Sequence, residues 1–93
     1  MTFSPVALRD RRSIEAWYRK ESPAAARLFR QRLREALDFL ADYPHGAPIL
    51  WLDRRGKRID GFPYTVIYQV QHDGIRVVAI AAERRKPGDY AHR

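Results

Sequence analysis

Two apolar runs separated by an Asp-Gly pair constrain the fold of this chain more than any other feature. The runs span residues 64–71 and 75–82 and are rich in β-branched and aromatic residues, a composition that favours β-strands. Asp73-Gly74 lies between the runs. Such a pair favours a tight hairpin turn, because both central residues of a type I′ turn need a positive φ. The pattern therefore predicts an antiparallel hairpin that turns at Asp73 and Gly74.

This turn fixes a predicted register for the hairpin, in which side chains alternate between two faces. The face that carries Val70 opposite Val77 pairs bulky with small side chains, which suits a helix packed on top. The opposite face is part apolar and part polar, and we expect it to bind a partner. Its central residues form the pairs Ile67 with Ile80 and Gln69 with Val78.

Two Ser-Pro pairs predict the starts of two helices, because Ser is a favoured N-cap and Pro is tolerated at the first helical position. Ser4-Pro5 begins a predicted helix that ends near residue 20, and Ser22-Pro23 begins one that ends near residue 43. In the first helix, Ala7, Ile14, Trp17 and Tyr18 fall on one side. The second has an apolar stripe at helical spacing, formed by Ala25, Phe29, Leu33, Ala36, Leu37 and Leu40.

The remaining segments complete an α+β prediction for residues 1–93 as a single domain. Residues 1–3 are expected to end a short strand, residues 47–52 form a short apolar run, and residues 53–58 are predicted to turn. Residues 57–60 are predicted to pair beside the first hairpin strand. Helices and strands are segregated along the chain, which predicts an N-terminal helical hairpin packed on one face of a small antiparallel sheet, in the order β-α-α-β-β-β or with one further strand.

Composition narrows the functional class of the protein. The 93 residues carry a net charge of +7 and no cysteine, which favours an anionic partner and a reducing compartment, although solubility alone would also explain the charge. No apolar run could span a membrane and no signal peptide is visible, so we expect a cytoplasmic protein. The histidines lack metal-ligand spacing, and no phosphate loop or Ser/His/Asp set is present. We therefore expect neither a metal nor a cofactor.

Basic residues are the remaining candidates for function. One cluster precedes the first hairpin strand and the other follows the second, and the predicted register brings both to one end of the sheet. Such an end could hold a phosphate backbone or an acidic peptide, whereas charges that only prevent aggregation are the alternative. The predicted target-binding patch comprises Arg54, Arg55, Lys57, Arg58, Arg84, Arg85 and Lys86.

Several segments, taken in order, resemble the RelE/ParE superfamily of bacterial toxins from type II toxin–antitoxin modules. They are FSPVALRD (3–10), WYRKESPAAARLFRQRL (17–33), YPHGAP (43–48), RIDGFPYTVIYQV (58–70) and IRVVAIAAERRKPGDY (75–90). The resemblance implies the same α+β fold and a cognate antitoxin whose C-terminal part wraps the toxin in a hetero-oligomer. The antitoxin is expected on the face formed by Ile67, Gln69, Val78 and Ile80, or in a helix groove.

The superfamily divides into two activities, and whether this chain is an enzyme stays open. RelE-like members cleave mRNA on the ribosome, and the matching catalytic positions here would be Arg58, Arg85 and Tyr90. This chain has Glu83 where many such relatives have His, and Tyr90 falls one position late. The segment GFPY at 61–64 and the arginine before it are seen in ParE-like members. We therefore predict a ParE-like inhibitor of DNA gyrase, with an mRNA endonuclease and an inactive antitoxin-binding relative as the alternatives.

Overall fold

The computed structural model describes residues 1–83, which form two helices and five strands in one sheet. The elements are β1 (Thr2–Phe3), α1 (Pro5–Glu21), α2 (Pro23–Asp42), β2 (Ile49–Trp51), β3 (Arg54–Arg58), β4 (Tyr64–Gln71) and β5 (Gly74–Ala82). The sheet order is β1-β5-β4-β3-β2. This confirms the α+β class and the helical hairpin. Four strands follow the helices, and the sheet is mixed rather than antiparallel, because β1 lies parallel to β5.

Both helices begin at the predicted serines. The Ser4 hydroxyl accepts a hydrogen bond from the Ala7 amide at 3.0 Å, and the Ser22 hydroxyl accepts one from the Ala25 amide at 3.3 Å. Ser22 also ends α1, because its own amide donates to the Tyr18 carbonyl at 2.7 Å. A single residue thus closes one helix and opens the next, which explains how the link between them is so short.

The core lies between the helices and one face of the sheet, and it confirms most of the predicted apolar stripes. Phe29 and Leu40 of α2 are fully buried, as are Val66 and Val77 of the sheet. Trp17 was expected on the buried side of α1 but is 56% exposed. The next residue, Tyr18, packs against the core in an aromatic cluster with Phe29, Phe62 and Tyr64.

Tyr68 ties the sheet to the loop that follows α2. Its side chain is fully buried, and its hydroxyl donates a hydrogen bond to the Pro44 carbonyl at 2.8 Å. Burial raises the pKa of the Tyr68 phenol, so the group stays protonated and remains a donor at neutral pH. The bond satisfies a polar atom that would otherwise be costly to bury.

The predicted hairpin register was wrong. Gln71 pairs with Gly74, so His72 and Asp73 form the turn, one residue earlier than predicted. A register shift follows, because Ile67 pairs with Ala79 whereas Tyr68 pairs with Val77. The extra residue on β5 is a β-bulge, which reverses the facing of the residues beyond it.

The bulge decides which side of the sheet Ile80 occupies. Ile80 was predicted on the open face, but it is 4% exposed and belongs to the core with Ile75 and Val77. A regular strand would turn one of these three branched side chains to the open face, because strand side chains alternate. The bulge lets all three reach the core, and this burial is the physical reason for the altered register.

The N-terminal segment satisfies the backbone of β5 around this bulge. The Ser4 amide donates to the Val77 carbonyl at 2.8 Å, and the Ser4 hydroxyl donates to the Val78 carbonyl at 2.9 Å. The Asp10 carboxylate accepts a hydrogen bond from the Ile80 amide at 2.9 Å. Ser4 and Asp10 therefore supply hydrogen-bond partners to backbone groups of β5 on both sides of Val78.

Residues 54–58 form a strand, so the turn predicted over 53–58 was wrong for most of its length. The predicted pairing of residues 57–60 beside β4 is confirmed for Lys57 and Arg58. The chain reverses at Leu52, which has a positive φ of 49°, and at Asp53. The strand β3 then pairs along β4 from Arg54 opposite Gln69 to Arg58 opposite Thr65. Pairing satisfies the outer backbone edge of β4, and this gain outweighs the weak strand preference of a charged segment. Within residues 1–83, neither helix is long and apolar enough to cross a membrane.

Replacing Phe29 by alanine should destabilise the fold by about 3–5 kcal/mol, because a fully buried aromatic side chain is lost and a cavity remains. The adjacent Leu28 is 42% exposed, and Leu28→Ala should change stability by no more than about 0.5 kcal/mol. Urea unfolding followed by circular dichroism measures both values. Equal losses in the two variants would contradict the described packing of α2.

Candidate functional site

A groove of about 870 Å³ crosses the face of the sheet that the helices leave open. Ile67 of β4 and Val78 and Ala79 of β5 line it. Leu50 and Trp51 of β2 contribute from the sheet edge. The surface is therefore largely apolar, and concave apolar surfaces of this kind are typical binding sites for ligands and peptide segments.

Exposed apolar residues continue from this groove along the β2 edge. Ile49, Leu50, Trp51 and Leu52 are 57%, 47%, 52% and 85% exposed. Four consecutive apolar side chains of such exposure form a patch that soluble proteins usually reserve for a partner. The sequence predicts a short apolar run at 47–52 but does not by itself assign the run to the site. The signal was its composition, APILWL, which is too apolar for a short surface loop.

Gly56 of β3 allows Leu50 to lie close to the sheet. A Cβ atom at Gly56 would lie 2.5 Å from Leu50 Cδ1 and 3.0 Å from Thr65 Cγ2. Both distances are shorter than ordinary van der Waals contact, so a larger residue would displace the Leu50 side chain. The absence of a side chain at Gly56 therefore sets the shape of this part of the groove.

An ion pair lies at one end of the groove. Arg58 Nε is 2.9 Å from Glu83 Oε1, and the Arg58 side chain is 74% exposed whereas that of Glu83 is 24% exposed. Thr65 Oγ1 also donates a hydrogen bond to Glu83. The carboxylate thus occupies the space beside the guanidinium, where an anionic ligand of Arg58 would otherwise lie.

The predicted basic patch is not assembled in the described part of the chain. Arg54 pairs with Asp53, while Arg55 donates to the Ala47 carbonyl at 2.7 Å and so fixes the loop after α2. Lys57 Nζ lies 4.5 Å from the ring centroid of Phe39, on the helix side of the sheet. Only Arg58 of these four lines the groove. Arg84, Arg85 and Lys86, and the predicted catalytic Tyr90, lie outside the described residues.

The predicted antitoxin-binding residues are divided by the bulge. Ile67 and Val78 line the groove. Gln69, which lies on β4 with Ile67, places its Nε2 atom 3.5 Å from the Asp53 carboxylate. Ile80 packs in the core on the other side of the sheet. Ala79 and Ala81 take its place on the groove surface. Small side chains there leave room that Ile80 would have filled.

The described part of the groove is a surface formed mainly by apolar side chains. Residues 1–83 contain no group of three His, Cys, Asp or Glu side chains that could hold a metal ion. His45 and His72 do not line the groove. The groove thus combines apolar contact with one ion pair, which suits an extended or helical protein segment carrying apolar side chains.

Comparison with known proteins places this geometry in context. A family model for the ParE toxin of the type II toxin–antitoxin system parDE matches residues 1–87. A solved structure of the chromosomal ParDE toxin–antitoxin system from P. aeruginosa is similar, with a TM-score of 0.75 and 19% identity over 87% of this chain and 91% of that chain. No curated protein sequence matches.

Replacing Gly56 by valine should destabilise the protein by about 1–3 kcal/mol, because the new side chain overlaps Leu50. In a Leu50→Ala background the same replacement should cost less, with a coupling of at least about 0.5 kcal/mol between the two sites. Urea unfolding of the wild type, both single variants and the double variant measures the coupling. Strict additivity would refute the close packing of Leu50 over Gly56.

Proposed function

Because the chain belongs to the family of ParE toxins of type II toxin–antitoxin systems, we propose that it inhibits DNA gyrase and that a cognate antitoxin neutralises it. Gyrase acts on DNA in the bacterial cytoplasm, and the toxin is expected to work there. The antitoxin is the protein encoded in the neighbouring reading frame, and the two proteins form a hetero-oligomer. The alternatives are ribosome-dependent mRNA cleavage and antitoxin binding without toxicity.

The pairing of Arg58 with Glu83 is the observation that favours gyrase inhibition over RNA cleavage. Cleavage of RNA by a basic site needs a cation free to stabilise the extra negative charge on the phosphate in the transition state. Here a carboxylate lies 2.9 Å from the guanidinium, and its charge would repel a phosphate approaching from the same side. This end of the groove is therefore better suited to bind a protein than to cut RNA.

The groove supports the assignment of the antitoxin to the open face of the sheet. An antitoxin segment would bury Ile67 and Val78 together with the exposed apolar residues of β2, and the Arg58–Glu83 ion pair would form a polar rim at one end of the contact. Burial of apolar surface supplies most of the affinity of such contacts, and rim charges set their orientation. The surface is accordingly proposed to hold an apolar segment with polar residues at the end that meets the Arg58–Glu83 pair.

Purified protein should inhibit gyrase-catalysed supercoiling of relaxed plasmid DNA, and stoichiometric antitoxin should restore the activity. The measurement is the distribution of plasmid topoisomers on an agarose gel. In parallel, ribosome-dependent mRNA cleavage is tested with the wild type and with Arg58→Ala. If the wild type cleaves mRNA, loses this cleavage in Arg58→Ala and does not inhibit gyrase, the endonuclease alternative replaces the proposal. Antitoxin binding with neither activity would identify an inactive relative.

Replacing Val78 by arginine should weaken antitoxin binding by about tenfold or more, because a charge is placed in an apolar contact. Val6→Arg is the matched control, since Val6 is 47% exposed on α1 and does not line the groove. Isothermal titration calorimetry with the purified antitoxin gives both affinities. Unchanged affinity in Val78→Arg, or an equal loss in Val6→Arg, would move the antitoxin site away from the groove.

A further inference from the structure

The solvent-exposed face of α1 carries a row of four cations. Arg9, Arg12, Arg19 and Lys20 occupy positions i, i+3, i+10 and i+11, and this spacing places them on one side of a helix. Each of the four is exposed. The exposed Ala16 lies between them at i+7 and completes the row. We name these four cations and Ala16 the α1 basic row.

The carboxylates of α1 lie on other sides of the helix. Asp10 turns towards the sheet, where its carboxylate accepts the Ile80 amide at 2.9 Å. Glu15 is half-buried and lines the cleft against α2, beside Arg30 and Arg34. Within residues 1–83, no member of the row forms an ion pair, since the three pairs there involve Arg32, Arg54 and Arg58.

Helix stability explains only part of the row. Arg19 and Lys20 lie in the last turn of α1, where cations interact favourably with the helix dipole. Arg9 and Arg12 lie in the N-terminal half, where no such benefit exists, and like charges three residues apart repel each other. Glu15 lies three residues from Arg12 and four from Arg19 but forms no ion pair with either within residues 1–83. Glu21, the last residue of α1, lies about 100° around the helix from Lys20. Neither carboxylate therefore neutralises the row.

The composition of the row favours a polyanion over a folded protein partner. Protein interfaces usually have an apolar centre that excludes water, whereas the centre of this row is Ala16 with cations on both sides. From Arg9 to Lys20 the row extends about 16 Å at 1.5 Å per residue. A B-form duplex segment of this length carries about ten phosphates on its two strands, so it presents ample negative charge to four cations.

Duplex DNA fits this surface better than duplex RNA does. The major groove of B-DNA is about 12 Å wide and admits an α-helix, whereas that of A-form RNA is deep and narrow. The row itself contains no aromatic side chain, and the exposed Trp17 beside it packs edge-on against Tyr18 with ring centroids 5.0 Å apart, which also disfavours stacking of an unpaired base. The 17-residue α1 helix lies at the surface on this side, so a DNA backbone could run along it without meeting the sheet.

We propose that the α1 basic row is a sequence-independent binding site for the phosphate backbone of duplex DNA. The site is separate from the groove, which lies on the opposite side of the sheet from the helices. The protein can therefore bind DNA through α1 while the groove holds a protein segment. Neither gyrase inhibition nor antitoxin binding is required for this contact.

The test is fluorescence anisotropy of a short labelled DNA duplex of mixed sequence, titrated with the full chain at a series of salt concentrations. The logarithm of the binding constant should fall linearly with the logarithm of salt concentration. Arg12→Ala should make this slope shallower by about 1. Alanine at all four cations should make it shallower by about 3–4 and weaken binding to every duplex sequence alike.

Arg76→Ala is the matched control, because it also removes one positive charge. Arg76 lies on β5 between the buried Ile75 and Val77 and therefore faces away from the helices. It should leave the slope unchanged. Equal effects of Arg12→Ala and Arg76→Ala, or full binding by the four-alanine variant, would overturn the proposal. Tighter binding of duplex RNA or of polyglutamate than of DNA would also overturn it and would identify the partner class. Circular dichroism melting confirms that each variant is folded.

Discussion

The hydrogen bonds of Ser4 hold the two ends of the described chain together, and the rest of the structure depends on them. One hydroxyl caps α1 and also donates to the Val78 carbonyl, while the amide of the same residue donates to Val77. Ser4 thereby joins the short β1 strand, the start of α1 and the bulge of β5. Its burial makes each of these bonds costly to leave unmade. The position of α1 over the sheet follows from this junction.

The β-bulge at Val78 determines which side chains of β5 face the core and which face the groove. Before it, Ile75 and Val77 pack under the helices. Beyond it, Ile80 also packs there, while Ala79 and Ala81 are left on the open face. One inserted residue thus gives the core three branched side chains and gives the groove small ones. The same β-bulge therefore contributes to the packing of the core and to the shape of the groove.

The sequence predicts features that depend on neighbouring residues better than features that depend on distant ones. Both helices follow the predicted boundaries closely, because Ser4-Pro5 and Ser22-Pro23 act within one turn. The predicted hairpin register was wrong because the turn and the bulge are decided by the burial of Ile80, by hydrogen bonds that Ser4 donates to β5, and by the bond that Asp10 accepts from the Ile80 amide. Ile67 and Val78 were assigned correctly to the open face. The role of Arg55 could not be predicted, because its partner is a carbonyl in the loop after α2.

The parallel pairing of β1 with β5 also bears on how the protein is made. Phe3 is synthesised well before its partner Val77. The contacts between these strands span most of the chain, and contacts of high sequence separation form late in folding. During translation the helical hairpin can form early, but the sheet cannot close until β5 has left the ribosome. The groove, which β4 and β5 line together, is therefore absent from the nascent chain until β5 has been synthesised.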